Sequence, residues 1–139
     1  MADKVKFLID TNIWLEELLN QVQSEEVRYF LDSVPVNLLF ISDFTLHSIG
    51  VIMGRFKKYD EYKIFINDLF IDGEIKLLGL TAIETKDVFN LIRSNNLDFD
   101  DSYQYIISKK YNLHIVTFDN DFKKSGIKTF LPKDAVKLL

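Results

Sequence analysis

The feature that most constrains the fold of this chain is an alternation of short apolar runs with longer stretches of helical spacing. Five runs rich in branched apolar residues have the length of buried strands, at residues 5–9, 38–41, 75–80, 113–118 and 127–131. The last run lies between Gly126 and Pro132 and is predicted to form a short edge strand. The segments between the runs repeat apolar residues every three or four positions, as at Val88, Leu91 and Ile92, which is typical of helices.

Alternating strands and helices predict parallel strands joined by right-handed crossovers, with helices packed on both faces of the sheet. The expected fold class is therefore α/β, a three-layer α/β/α sandwich around a central, mostly parallel sheet of four to five strands. A chain of 139 residues with 47% apolar content can bury a sufficient core as one domain. We expect a single domain over residues 1–139.

Composition limits the classes of protein to which the chain can belong. It has no cysteine, which excludes disulfide scaffolds and thiolate metal sites and agrees with a reducing, cytoplasmic location. The segment before Asp10 is too short for a signal peptide or a membrane span, so no membrane contact is expected. The net charge of −4 is not that of a general nucleic-acid binder, so any contact with nucleic acid must be local.

Two acidic residues directly follow predicted strands. Asp10 comes after the first strand and Asp119 after the fourth. In parallel α/β sheets, ligands bind beyond the carboxyl ends of the strands, so these two carboxylates are candidates for a functional site. Capping of the following helix or turn is the alternative explanation for each.

A third group of acids opens a predicted helix. Asp98, Asp100 and Asp101 lie in its first turn, and Asp98 or Asp100 is expected to cap it. If this helix crosses the carboxyl end of the sheet, Asp101 can face Asp10 and Asp119. The repulsion of three carboxylates then favours a bound cation, and all-oxygen ligands favour Mg²⁺ or Mn²⁺ over zinc. Such ions catalyse phosphodiester hydrolysis.

Three sequence blocks carry a resemblance to a known family. They are Phe7-Leu8-Ile9-Asp10-Thr11-Asn12-Ile13, Asp100-Asp101-Ser102 and Val116-Thr117-Phe118-Asp119-Asn120-Asp121-Phe122. In order and separation they resemble the signatures of the PIN-domain family, and most closely its VapC-like toxins. The resemblance implies an α/β/α sandwich, a ribonuclease site that uses Mg²⁺ or Mn²⁺, an RNA substrate, frequent homodimers and inhibition by a VapB-type antitoxin.

The same resemblance implies roles for individual residues. Asp10, Asp101 and Asp119 would be the catalytic, metal-binding acids, and Asn12 and Thr117 would support them by hydrogen bonds. Asp121 is expected nearby, and both an outer-sphere and a purely structural role remain open for it.

One position departs from the family pattern. The family's second acid, a Glu on the helix after the second strand, would fall at Ser48, whose hydroxyl cannot replace the charge. His47, Asp43, Glu16 and Glu17 are the candidates to compensate, although an ordinary structural role explains each of them more readily. We therefore expect a metal held by three acids and water.

Three functional hypotheses follow. The first is a metal-dependent endoribonuclease, the toxin of a VapBC-type pair, whose activity is weakened by the missing acid. The second is a catalytically impaired PIN domain that binds RNA or a protein. The third is another doubly wound α/β module in which the acids only cap helices.

Overall fold

Four short parallel strands, flanked by helices, form the centre of the protein. The computed structural model describes residues 4–139. Its strands are β1 (Phe7–Ile9), β2 (Leu39–Ser42), β3 (Lys76–Leu78) and β4 (His114–Val116). Its α-helices are α1 (Thr11–Leu18), α2 (Ser24–Ser33), α3 (Asp43–Arg55), α4 (Tyr59–Ile66), α5 (Lys86–Asn95), α6 (Phe99–Tyr111), α7 (Asp121–Lys124) and α8 (Pro132–Val136). A 3₁₀ turn at Val36–Leu38 precedes β2, and a π-helical turn at Asn67–Asp72 follows α4.

The sheet has the strand order β3-β2-β1-β4, and every pairing is parallel. This confirms the predicted parallel sheet, although β1, β3 and β4 are shorter than their apolar runs and β2 is shifted by one residue. The run at residues 127–131 forms a single parallel bridge, between Phe130 and Val116, in place of the predicted edge strand. The pairing ends there because Pro132, which begins α8, has no amide hydrogen to continue it.

Alternate residues of β1 divide the core between the two faces of the sheet. Phe7 and Ile9 pack into one apolar cluster and Leu8 into the other. The first cluster takes buried residues from α1, α2, α3, α4 and α8, and the second from α5, α6 and α7. The predicted three-layer sandwich is therefore confirmed. Within residues 4–139, no helix is long and apolar enough to cross a membrane.

Capping fixes where the helices begin at the carboxyl edge of the sheet. The Ser42 hydroxyl accepts from the amide of Thr45 (3.0 Å) and caps α3. The Asp98 carboxylate accepts from the amide of Asp101 (2.9 Å) and caps α6, which leaves the carboxylate of Asp101 free for another role. Asn96, in the left-handed conformation, ends α5 just before this start.

Thr81 and Glu84 form both hydrogen bonds of a capping box, from the Thr81 amide to Glu84 (2.9 Å) and from the Glu84 amide to Thr81 (3.2 Å). It closes a turn, however, because α5 begins only at Lys86.

Candidate metal centre

A cleft of about 300 Å³ opens at the carboxyl ends of β1 and β4, beside the first turn of α6. Most of its wall consists of acidic and polar side chains, and Leu15, Phe44 and Ile52 form the apolar part. The acidic and polar residues are Asp10, Thr11, Asn12, Ser48, Asp100, Asp101, Gln104 and Asp119. The three acids that the sequence singled out therefore line one cleft, together with Ser48.

Asp10 is buried (7% exposed) and held by several hydrogen bonds. Its Oδ1 accepts from the amide of Thr11 (2.8 Å) and from Nε2 of Gln104 (3.0 Å), and its Oδ2 accepts from the hydroxyl of Thr117 (2.8 Å). Asp10 is also the residue that caps α1, so capping and a place in the cleft are combined in one side chain. Burial raises the pKa of Asp10, whereas the bonds from Gln104, Thr117 and Thr11 act in the lowering direction.

Thr117 and Asn12 connect Asp10 to the segment after β4. The Thr117 hydroxyl, which donates to Asp10, accepts from Asn12 Nδ2 and from the amide of Asp119, each at 3.0 Å. Asn12 Oδ1 in turn accepts from the amide of Phe118 (3.0 Å). These are the contacts expected of residues that orient the acids, and they fix the backbone of Asp119 relative to Asp10.

The closest group of carboxylates comprises Asp101, Asp119 and Asp121. One oxygen from each lies within 4.8 Å of the other two. Asp121 is held there because its amide donates to Asp119 Oδ1 (2.9 Å) at the start of α7. Asp10 lines the same cleft but stands outside this close group, whereas Asp121, which the sequence pattern placed nearby, belongs to it.

The electrostatics of the cleft are those of uncompensated negative charge. Burial, followed by the charges of Asp119, Asp98 and Asp10, raises the pKa of Asp101 to about 8. Burial also raises the pKa of Asp100. Within residues 4–139, no Lys or Arg forms an ion pair with Asp10, Asp100, Asp101 or Asp119, whereas the exposed Asp121 pairs with Lys124 at 3.9 Å. A hard divalent cation fits this all-oxygen donor set.

The profile of the PIN domain matches residues 7–128. The chain belongs to the PIN-domain family. The matched segment runs from β1 to residues beyond α7, and it includes every acid of the cleft. None of the curated proteins matches the sequence.

Solved structures share the fold of this PIN domain. VapC20 of Mycobacterium tuberculosis, a toxin that cleaves the sarcin-ricin loop, superposes with a TM-score of 0.76 at 16% identity, over 91% of this chain and 100% of its own. FitAcB from Neisseria gonorrhoeae gives a TM-score of 0.66 at 20% identity, over 91% and 98%. A toxin-antitoxin complex from Klebsiella pneumoniae gives 0.67 at 20% identity, over 84% and 90%.

Ser48 lies where this PIN domain departs from the family pattern. It is half-buried on α3 and is one of the residues that line the cleft. His47 is exposed and contributes to a different surface pocket. Glu16 accepts a hydrogen bond from Gln23, and Glu17 pairs with Arg28 at 3.9 Å; neither lines the cleft.

Asp43 does not compensate for the missing acid either. Its exposed carboxylate accepts from the Tyr103 hydroxyl (2.8 Å), which links α3 to α6 outside the cleft. No acid that neighbours Ser48 in sequence therefore supplies the missing charge.

Gln104 is the residue of this PIN domain that the sequence patterns did not identify. It is 2% exposed, and its Nε2 donates both to Asp10 (3.0 Å) and to the hydroxyl of Thr45 (2.8 Å). The available signal was its position, one helical turn after Asp101 and therefore on the same face of α6. An uncharged amide at that spacing is unremarkable in a sequence, since only the fold brings Thr45 and Asp10 to it.

Proposed function

We propose that this PIN domain is a metal-dependent endoribonuclease that hydrolyses RNA phosphodiesters. The observation that carries the proposal is that Asp10, Asp101 and Asp119 line one cleft at the carboxyl edge of a PIN-domain fold, and that none of the three forms an ion pair with a Lys or Arg among residues 4–139. The similarity to VapC20, a toxin that cleaves the sarcin-ricin loop, supports the proposal at the level of fold.

Asp10, Asp101 and Asp119 are the residues that would hold Mg²⁺ or Mn²⁺, and Asp121 lies close enough to take part directly or through water. When bound, the ion supplies an activated water and neutralises charge on the phosphate. The hydroxyl of Thr117 orients the Asp10 carboxylate and the Asp119 backbone for this role.

The cleft offers little basic charge of its own to an RNA phosphate. No Lys or Arg is among its lining residues, as far as the described part of the chain goes. Phe44, which is partly exposed there, provides an aromatic face against which an unpaired base can stack. Phosphate binding in the cleft should therefore depend on the ion, and RNA without the ion should bind weakly.

RNA cleavage by highly purified protein tests the proposal. With Mn²⁺ the wild type should cut RNA, EDTA should stop the reaction, and Asp119→Asn should lower the rate at least tenfold. The matched control is Asp87→Asn, an exposed acid in the first turn of α5, which should leave the rate unchanged. Equal cleavage by wild type and Asp119→Asn would assign the activity to a contaminant.

A second candidate function is that of a catalytically impaired PIN domain that binds RNA or a protein partner. Ser48, in the place of the family's second acid, is the observation that favours it. Ser48→Glu separates the two candidates. If wild-type protein leaves RNA intact under conditions in which Ser48→Glu cuts it, the natural protein is a binding module; if both cut, it is a nuclease.

We further propose that the protein is the toxin of a VapBC-type pair and is inhibited by a VapB-type antitoxin. The support is the similarity in fold to chains from toxin-antitoxin assemblies, together with an apolar groove of about 540 Å³. Buried side chains that include Trp14 and Phe65 line this groove, and so do the exposed acids Asp32, Glu61 and Asp68. The expected occupant is an antitoxin segment that combines apolar and basic residues.

Co-expression with the product of the open reading frame directly upstream tests the antitoxin proposal. Ile64→Glu, at an exposed residue of the groove, should abolish co-purification and inhibition. Ile83→Glu is the control, because Ile83 is 75% exposed and lies outside the groove. An upstream product that binds both variants equally would place the contact elsewhere.

A homodimer and a cytoplasmic location remain part of the proposal. Both rest on the resemblance to VapC-like toxins and on the composition. Light scattering of the eluted protein should give twice the mass of one chain, and a monomer at micromolar concentration would contradict the dimer.

A further inference from the structure

Gln104 is a fully enclosed polar side chain in the wall of the acidic cleft. It lies on α6, three residues after Asp101, and is 2% exposed. Both hydrogens of its amide nitrogen are used, one by Asp10 Oδ1 at 3.0 Å and one by Thr45 Oγ1 at 2.8 Å. The amide therefore joins the first acid of the site to α3, the helix that lacks the family's second acid.

The amide oxygen of Gln104 has no hydrogen-bond partner. Oε1 is buried and accepts no bond from residues 4–139. A reversed amide would not help, because Oε1 would then face the carboxylate of Asp10 and two acceptors would oppose each other. A buried acceptor left unpaired costs about 1–3 kcal/mol, so this oxygen is expected to have a donor in the working protein.

The position of the amide connects it to the missing acid. Thr45, which receives its hydrogen bond, lies one helical turn before Ser48 on α3. Ser48 and Gln104 both line the cleft that contains Asp10, Asp101 and Asp119. Because Oε1 is itself enclosed, a water of the cleft can donate to it only after a small shift of the side chain, and a bound cation would hold such a water in place.

We propose that Gln104 is a positioning residue of the metal centre, which holds the Asp10 carboxylate through Nε2 and accepts through Oε1 a hydrogen bond from a water bound to the cation. The inference rests on the proposed metal-dependent function. The amide fixes geometry in the part of the site where the family carboxylate is missing, and it does so without adding a negative charge.

Mn²⁺ binding to the metal-free protein tests the inference. The affinity, followed by calorimetry or by the paramagnetic resonance signal of free Mn²⁺, should fall 10- to 100-fold in Gln104→Leu. Gln104→Met is the second variant, because its unbranched side chain fills the same space with less risk to folding. A purely structural role would lower the melting temperature of the metal-free variants and leave the Mn²⁺ affinity unchanged.

Gln104→Glu should lower the stability of the metal-free protein but bind Mn²⁺ more tightly than Gln104→Leu does. Its carboxylate would face Asp10, so the metal-free protein should melt below wild type, whereas Mn²⁺ should bind more tightly than to Gln104→Leu and raise the melting temperature further. Ser108→Ala is the matched control, since Ser108 is buried one turn later on α6 and bonds only the backbone of Tyr105.

The outcomes separate the two proposals. If wild-type protein binds no Mn²⁺, the metal-dependent function and this inference both fail. If wild type binds Mn²⁺ and both Gln104→Leu and Gln104→Met bind it equally well, the inference alone fails. Loss of affinity in these two variants but not in Ser108→Ala supports it.

Discussion

Replacement of Thr117 by valine removes one hydroxyl while keeping the size and branching of the side chain. That hydroxyl donates to Asp10 at 2.8 Å and accepts from Asn12 and from the amide of Asp119 at 3.0 Å each. The bond to a carboxylate contributes about 1.5–3 kcal/mol, and each neutral bond about 1 kcal/mol. Thr117 is 2% exposed, so water replaces these partners poorly. We expect Thr117→Val to lower the free energy of unfolding by about 3 kcal/mol.

Urea denaturation measures this loss. For an m-value of about 2 kcal/mol/M, the midpoint should fall by roughly 1.5 M. Mn²⁺ affinity should also fall, about 10- to 100-fold, because Asp10 and Asp119 lose their common support. Thr117→Ser is the control: it keeps the hydroxyl, so metal affinity should be close to wild type and the cost should be about 1 kcal/mol, from one lost methyl. Equal destabilisation by the two variants, or an unchanged midpoint in Thr117→Val, would refute the reasoning.

Three further predictions concern Asp101 and Tyr103. The pKa of Asp101 is raised from 3.8 to about 8, so its contribution to the stability of the metal-free protein is complete below about pH 4 and is lost as the pH rises to about 8. The melting temperature in EDTA should therefore fall over this pH range, and it should fall less steeply in Asp101→Asn. Because Mn²⁺ must displace that proton, it should raise the melting temperature more at pH 8 than at pH 5.5. The Tyr103 hydroxyl donates to Asp43 (2.8 Å) and accepts from the Leu80 amide (3.1 Å), so Tyr103→Phe should cost about 1–2 kcal/mol in urea denaturation, with Tyr105→Phe as the near-neutral control.

The fold follows from the sequence where a pattern is repeated and strongly apolar. The run that contains Phe7, Leu8 and Ile9 forms a strand, as its composition predicts. A strand buried on both faces needs an apolar residue at every position, and these three are fully buried, two on one face of the sheet and one on the other. The run at residues 127–131 has a similar composition but forms one bridge. Phe130 packs edge-to-face on His114 of β4, Ile127 belongs to the second apolar cluster, and Pro132 ends the pairing that composition alone would extend.

The sequence predicts residues of the candidate site only where an acidic side chain stands at the end of a strand or the start of a helix. Asp10 and Asp119 stand at strand ends, which parallel topology brings together, and they lie in one cleft. The hydrogen bonds of Gln104 join it to residues 59 and 94 positions away along the chain, and a pattern of neighbouring residues cannot predict such contacts. Asp121 joins the close carboxylate group through its own amide bond to Asp119, a detail of the turn before α7.

A serine in place of a glutamate at position 48 should affect both the stability of the metal-free fold and the affinity for a cation, in opposite directions. Burial, followed by the charges of neighbouring acids, raises the pKa of Asp101; a fourth carboxylate would add to that repulsion, so a hydroxyl there makes the metal-free fold more stable. In the proposed metal centre, the same change would remove one charged ligand from the cation and lower its affinity. In the proposed metal centre, Gln104 would restrain the Asp10 carboxylate without adding a charge and therefore without restoring the repulsion. An ion held in this way keeps more coordination positions open for water and for phosphate oxygens, so its binding should be coupled to that of RNA more strongly than in a four-acid site.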